Sequence, residues 1–140
     1  MSLPPYYITT PIYYVNDVPH IGHAYTTLAC DVMARFKRLD GYSVLFLTGT
    51  DEHGQKVEIA AGKRGLAPQL FTDQVSQNFR DLLPALDISN DDFIRTTEQR
   101  HKVAAQVIWQ KLFDNGHIYR DKYSGWYSVR DEAYFSESEL

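Results

Sequence analysis

The chain has 140 residues, with 14 Lys and Arg against 18 Asp and Glu, for a formal net charge of −4. Its 44 % hydrophobic composition excludes a disordered tail, and one domain of this size buries roughly 70 % of its unfolded surface. No apolar run approaches the ~20 residues of a membrane span, and Met1–Tyr6 carries neither the basic cluster nor the apolar core of a leader. The acidic balance, with cations scattered in small groups, argues against non-specific nucleic-acid binding. The lone Cys30 excludes an internal disulfide and a cysteine zinc finger, and fits a reducing compartment. The expectation is a cytoplasmic protein with no membrane partner.

Tyr6–Thr10 is aromatic and β-branched and stops at Pro11, which predicts a short strand. The stretch 11–19, with its prolines, Asn16 and Asp17, reads as a loop. Ile21, Tyr25, Leu28, Val32, Phe36 and Leu39 then recur at helical spacing, predicting an amphipathic helix that closes at Gly41. Met33 and Phe36 are assigned to the core, and Cys30 to a small buried apolar site. Ser43–Thr48 is continuously apolar at its centre, as a strand covered on both faces would be. The strand–helix–strand order makes a right-handed βαβ unit. Gly49–Gly54 reads as a polar loop, Gln55–Lys63 as a second helix, and Pro68 to about Pro84 as a third. A short strand at Phe93–Arg95 follows. Thr96 with Gln99 gives a capping-box signal for a helix running to Asn115 and stopping at Gly116. Beyond it, Ile118–Tyr123 and Trp126–Tyr134, separated by Ser124-Gly125, predict a β-hairpin. The fold class expected is α/β: a Rossmann-like parallel sheet with flanking helices over 1–116, then the start of a β-rich insertion over 117–140.

Ligands of such sheets bind beyond the carboxyl ends of the strands. Two segments lie there, Pro19-His20-Ile21-Gly22-His23 and Thr50-Asp51-Glu52-His53-Gly54. The first opens into a helix, so its backbone N–H groups and positive end would face the crevice. His20 and His23 share one face of that turn and can donate to phosphate oxygens, while Gly22 leaves the backbone bare for a close approach. Asp51 supplies a carboxylate suited to an ammonium group. Alone, a His-x-x-His pair is more often structural than functional. His20, His23, Asp51 and His53 form a second possibility, a metal site of a zinc hydrolase. Tyr13 and Tyr14 read equally as caps of the sheet, and His101 and His117 take no catalytic role.

His20-Ile21-Gly22-His23 after a first strand is the HIGH signature of class I aminoacyl-tRNA synthetases. Tyr7–Asn16 followed by Pro19, then Gly49–Lys56, and finally Gly125–Glu132, closely resemble the methionyl-tRNA synthetase family in the same order. The resemblance covers nearly the whole chain. It implies ATP-dependent activation of L-methionine to methionyl-adenylate and transfer to tRNA(Met). It implies ATP contacts from His20, Gly22 and His23, with the two histidines catalytic. It places methionine against Ile12 and Tyr14, with Asp51 on its α-ammonium, and Thr9 and Thr10 as weaker neighbours. Mg²⁺ would travel with ATP. Two departures stand out. The family's Cys-x-x-Cys knuckle falls on Ser128 and Asp131, so no zinc is expected. No lysine-rich KMSKS loop and no anticodon-binding domain occur, so the chain is expected to be the N-terminal part of a longer enzyme, inactive alone, with tRNA gripped mainly elsewhere. The alternatives are a related class I synthetase, a nucleotidyltransferase with the same His-x-Gly-His block, or a nucleotide-binding module without turnover.

Overall fold

The computed structural model of the chain describes residues 3–139; Met1, Ser2 and Leu140, which enter the leader and insertion readings, lie outside the described residues. Strands and helices follow in the order β1 (Pro5–Thr9), β2 (Tyr13–Tyr14), α1 (Ile21–Leu39), β3 (Ser43–Asp51), α2 (Gln55–Lys63), α3 (Pro68–Ala85), β4 (Asp92–Arg95), α4 (Gln99–Asp114), β5 (Trp126–Ser128) and β6 (Ala133–Phe135). Packing divides them into two units, one ending at Lys102 and one starting at Val103.

The first unit is built on β3, and all its pairings are parallel. β1 pairs with Ser43–Leu47, β2 with Thr50 and Asp51, and β4 with Leu47–Thr50. Leu47 is shared by β1 and β4, and Thr50 by β2 and β4. β1 and β2 therefore lie in succession along one edge of β3, and β4 along the other. A parallel arrangement puts all four carboxyl ends on one side, the side where α1 begins. Two readings change here. The stretch 11–19 contains β2, and β3 runs on through Gly49, Thr50 and Asp51. Gly49 itself is demanded by close approach, because a Cβ there would stand 2.0 Å from the Ile94 carbonyl oxygen.

The core joins β2, β4, α2 and α3 through Tyr13, Val15, Val57, Ala61, Phe71, Val75, Phe79, Leu83 and Phe93. Full burial of each Phe or Val side chain contributes about 1.5–3 kcal/mol. α1 packs by its small face, burying Thr27, Asp31 and Ala34. Its apolar stripe is exposed instead, from Ile21 at 86 % to Leu39 at 89 %. Met33 and Phe36 are likewise exposed rather than core residues, and Cys30 is half-buried with its S–H on the Thr9 carbonyl. The polar anchor of α1 is Asp31, which accepts from Ser89 N at 2.7 Å and from Arg35 Nε at 2.7 Å. β3 is not covered on both faces over its first half: Leu45 is 50 % exposed beside its register partner Tyr7, also exposed.

α4 begins at Gln99, two residues later than a Thr96 cap requires, and the Thr96 hydroxyl is engaged at the end of β3. In the second unit β5 and β6 form an antiparallel hairpin, with Trp126 opposite Phe135. Its turn lies at Val129–Glu132 rather than Ser124-Gly125, and 118–123 is not a strand. Ser128 Oγ donates to Asp131 Oδ2 at 2.7 Å and accepts from Asp131 N at 3.2 Å, while Glu132 adopts φ 52°. A hydrogen-bonded turn of this kind substitutes for the glycine expected at a hairpin bend.

Candidate active site

The residues after β2 lead through Pro19 into α1, and the first turn of that helix is closed by its own histidines. His20 is the N-cap in extended conformation. Its Nδ1 accepts from Gly22 N at 3.1 Å, and His23 Nδ1 accepts in return from His20 N at 3.1 Å. This is the reciprocal logic of a capping box, with imidazole nitrogens in place of hydroxyl and carboxylate. His23 N and Ala24 N both bond to the His20 carbonyl. The backbone donors of the turn, expected to face the crevice, are therefore largely consumed within it.

This cap fixes the chemistry of both rings. An Nδ1 that accepts a hydrogen bond carries no proton, so each neutral imidazole holds its hydrogen on Nε2. The two rings lie 3.9 Å apart between centroids. Burial, and after it the neighbouring His20 ring, push the His23 imidazole below its ordinary value, which keeps it neutral. The site thus offers two Nε2–H donors on one helix face. Gly22 eases this arrangement, because a Cβ there would stand 3.0 Å from His20 Cε1 and the ring would have to give by a few tenths of an ångström.

Tyr13 sets the position of His23, a role the pattern of residues alone does not reveal. Its ring meets the imidazole edge-on at 4.8 Å and stacks on Phe79 at 5.7 Å, and Phe79 also touches His23 at 5.1 Å. Its hydroxyl lies 2.9 Å from Thr27 Oγ1, and Thr27 in turn donates to the His23 carbonyl at 2.8 Å. Burial raises the Tyr13 phenol above its ordinary value, so it stays protonated.

A cavity of about 390 Å³ brings together Ile12, Tyr14, His20 and His23, with Pro11, Tyr13, Asn16, Asp17 and Val18 completing the wall. Gly22 does not line it, nor do Thr9 and Thr10. Thr10 is buried with its hydroxyl 2.7 Å from that of Thr48, and Thr9 is exposed. Asp51 stands outside that wall as the register partner of Tyr14 at the end of β3. The site therefore has two parts: the cavity that Ile12, Tyr14, His20 and His23 line together, and Asp51, which stands outside its wall at the register position of Tyr14. Among the described residues, no three His, Cys, Asp or Glu stand together as a metal-ligand group. His53, the fourth member of the metal alternative, has its Nε2 3.3 Å from the Thr96 carbonyl oxygen.

Next to Asp51, Glu52 is fully buried and takes Arg95 Nε and Nη2 at 2.7 and 2.8 Å. Thr50 Oγ1 donates to it at 2.7 Å, and Thr97 also donates. Burial alone would raise this carboxyl, but the hydrogen bonds from Arg95, Thr97 and Thr50 outweigh it and hold the group below its ordinary value. Arg95 is raised correspondingly, chiefly by Glu52 and also by Asp73. Glu52 is thus a structural ion pair that locks the end of β3 onto β4.

Among the described residues no helix is long and apolar enough to cross a membrane. The chain is 70 % identical over 96 % of its length to the methionine–tRNA ligase of Rickettsia bellii, and 58 % identical over 99 % to that of Mesorhizobium japonicum. It spans about a quarter of the length of these curated relatives, 26 % and 27 %. The methionyl-tRNA synthetase of Mycobacterium tuberculosis in complex with methionyl-adenylate superposes with a TM-score of 0.92 at 52 % identity, covering 98 % of this chain and 27 % of that one. A LeuRS–tRNA–LeuAMS complex from Agrobacterium radiobacter superposes at 0.79 with 27 % identity, over 92 % of this chain and 17 % of that one. The family model described as tRNA synthetases class I (M) matches residues 6–140, and the chain belongs to that family.

Proposed function

We propose that the protein carrying this chain activates L-methionine with ATP and transfers the methionyl group to tRNA(Met). A methionine carboxylate oxygen attacks the α-phosphorus, the bond to the β-phosphate oxygen breaks, and pyrophosphate leaves with the electron pair. A hydroxyl of the terminal ribose of tRNA then attacks the methionyl carbonyl of the adenylate, the acyl–phosphate bond breaks, and AMP leaves. The observation that carries this reading is the pair of Nε2–H donors of His20 and His23, set over the cavity that Ile12 and Tyr14 share. Donors held rigidly at the phosphates need no reorganisation as charge grows there, which is the largest usual source of rate enhancement.

Gly22 serves indirectly, by letting the His20 ring fold back. The apolar Ile12 and the Tyr14 ring suit a thioether, and Asp51, the register partner of Tyr14 at the end of β3, suits an α-ammonium. Asp17, the carboxylate in the cavity wall, already accepts from Val18 N at 2.8 Å and stands 3.9 Å from Arg64. The chain's own donors therefore fit Mg²⁺ only as an ion carried by the phosphate oxygens of ATP. The Ser128–Asp131 turn occupies the place of a zinc knuckle without thiolates, which supports a zinc-free insertion. The tRNA is held mainly by parts outside this chain, and the chain alone binds without turnover, in a cytoplasmic enzyme.

The test is amino-acid-dependent exchange of pyrophosphate into ATP by the full-length protein. Exchange driven by methionine alone is expected, and Asp51→Asn weakens methionine while leaving ATP largely unaffected. Exchange driven by leucine or another apolar amino acid would favour a related class I synthetase. Nucleotide transfer that needs no amino acid would favour the nucleotidyltransferase.

A further inference from the structure

Thr96, the residue whose spacing to Gln99 suggests a helix cap, does something else with its hydroxyl. It is buried in the turn between β4 and α4. Its Oγ1 accepts from Glu52 N at 2.8 Å, so its own proton points elsewhere, and Asp51 Oδ1 lies 3.4 Å away to receive it. The backbone of the same residue is fastened on both sides: its N–H donates to the Thr50 carbonyl at 3.2 Å, and its carbonyl faces His53 Nε2 at 3.3 Å. On either side, Arg95 and Thr97 grip the Glu52 carboxylate. One short turn thus binds four consecutive residues, Thr50 to His53, at the carboxyl end of β3.

We propose that Thr96 is a positioning residue for the Asp51 carboxylate, and through it a determinant of amino-acid binding. The inference rests on the assignment of Asp51 to the substrate α-ammonium. A hydroxyl has one proton and here spends its acceptor side on Glu52 N, so the proton has a single carboxylate oxygen to serve. Asp51 Oδ1 takes that proton, and Oδ2, to which no hydrogen bond is present among the described residues, is left for a ligand. Holding one carboxylate rotamer removes an entropic cost from each binding event.

The test compares Thr96→Val, which keeps the shape and removes both hydrogen bonds, with Thr96→Ser, which keeps both. In the full-length protein, Thr96→Val is expected to raise the KM for methionine by about tenfold, the worth of one hydrogen bond to a charged group, with the KM for ATP unchanged. Thr96→Ser restores the wild-type value. A Thr96→Val protein with unchanged methionine KM, or with methionine and ATP affected alike, overturns the proposal, the second result marking Thr96 as merely structural. The side-chain three-bond couplings of Asp51, measured on the full-length protein, read the same positioning without any substrate. One rotamer in the wild type and in Thr96→Ser, and averaging in Thr96→Val, support it; identical couplings in all three overturn it. An enzyme with no methionine-dependent exchange, but with these couplings as expected, would discard the substrate assignment and leave the positioning intact.

Discussion

Tyr13 meets His23 edge-on at 4.8 Å while its hydroxyl, 2.9 Å from Thr27 Oγ1, joins the chain of contacts that ends on the His23 carbonyl. The inward residue of a two-residue strand therefore carries the placement of a histidine at the start of α1.

Tyr13→Phe separates ring from hydroxyl. Thr27 keeps its own bond to the His23 carbonyl, so the variant is expected to lose about 1 kcal/mol of stability and to keep methionine activation within a few-fold. Tyr13→Ala removes the surface on which the imidazole rests, and about 3–5 kcal/mol with it. Urea denaturation and pyrophosphate exchange measure the two effects; equal stability of Tyr13→Phe and Tyr13→Ala would contradict the buttress.

His20 has two tasks, and substitution can part them. Asn is an excellent N-cap residue, so His20→Asn retains the helix start, whereas His20→Ala costs about 0.5–2 kcal/mol. Both lose the Nε2–H donor and are expected to slow activation by about 10²–10³. A melting curve with single-turnover adenylate formation checks this, and an active His20→Asn would show that the ring serves only as a cap.

Much of this was legible in the residues, and what was hidden has identifiable causes. The helix α3 announces itself through Pro68 at its first turn. β2 does not, because two residues among prolines and Asn-Asp gain their strand character only from pairing with β3. The stripe Ile21 to Leu39 predicts a buried face, but α1 meets the sheet through Thr27, Asp31 and Ala34, where small side chains and the Asp31–Ser89 bonds permit close approach. At the site, HIGH gave His20 and His23 by resemblance. Their spacing, N-cap to third helical residue, is that of a capping box, yet the fixed tautomer emerges only from the Nδ1 contacts. Asp51 and Tyr14 lie far apart in the chain, and only strand register pairs them.

The pH dependence of stability has two stages. The depressed His23 binds fewer protons folded than unfolded, so its contribution is full above about pH 6.5 and declines as pH falls below that value. The depressed carboxyls of Glu52 and Asp31 contribute fully above about pH 4 and lose that contribution as pH falls through their lower folded values. A shallow loss below neutrality followed by a steeper one in acid is expected. Glu52→Gln, which leaves Arg95 inadequately paired, costs about 3 kcal/mol near neutrality and flattens the acid stage. Denaturant midpoints across pH check both, and an unchanged acid stage in Glu52→Gln would contradict the buried pair.

Ser128 and Asp131 close the hairpin turn by hydrogen bonds between themselves and bring no thiolate to it. Chelator is expected to leave the melting temperature unchanged, and elemental analysis to find zinc well below one ion per chain. Stoichiometric zinc would contradict this.

The claim on which the mechanism stands is that both histidines present Nε2–H to the nucleotide phosphates. Long-range proton–nitrogen correlation on the imidazoles reads the tautomer directly, with and without a non-hydrolysable methionyl-adenylate analogue. Both rings protonated at Nε2, with those resonances moving on addition of the analogue, is the predicted result. A proton on Nδ1 of either ring, or a bound analogue that leaves both Nε2 signals in place, would contradict it.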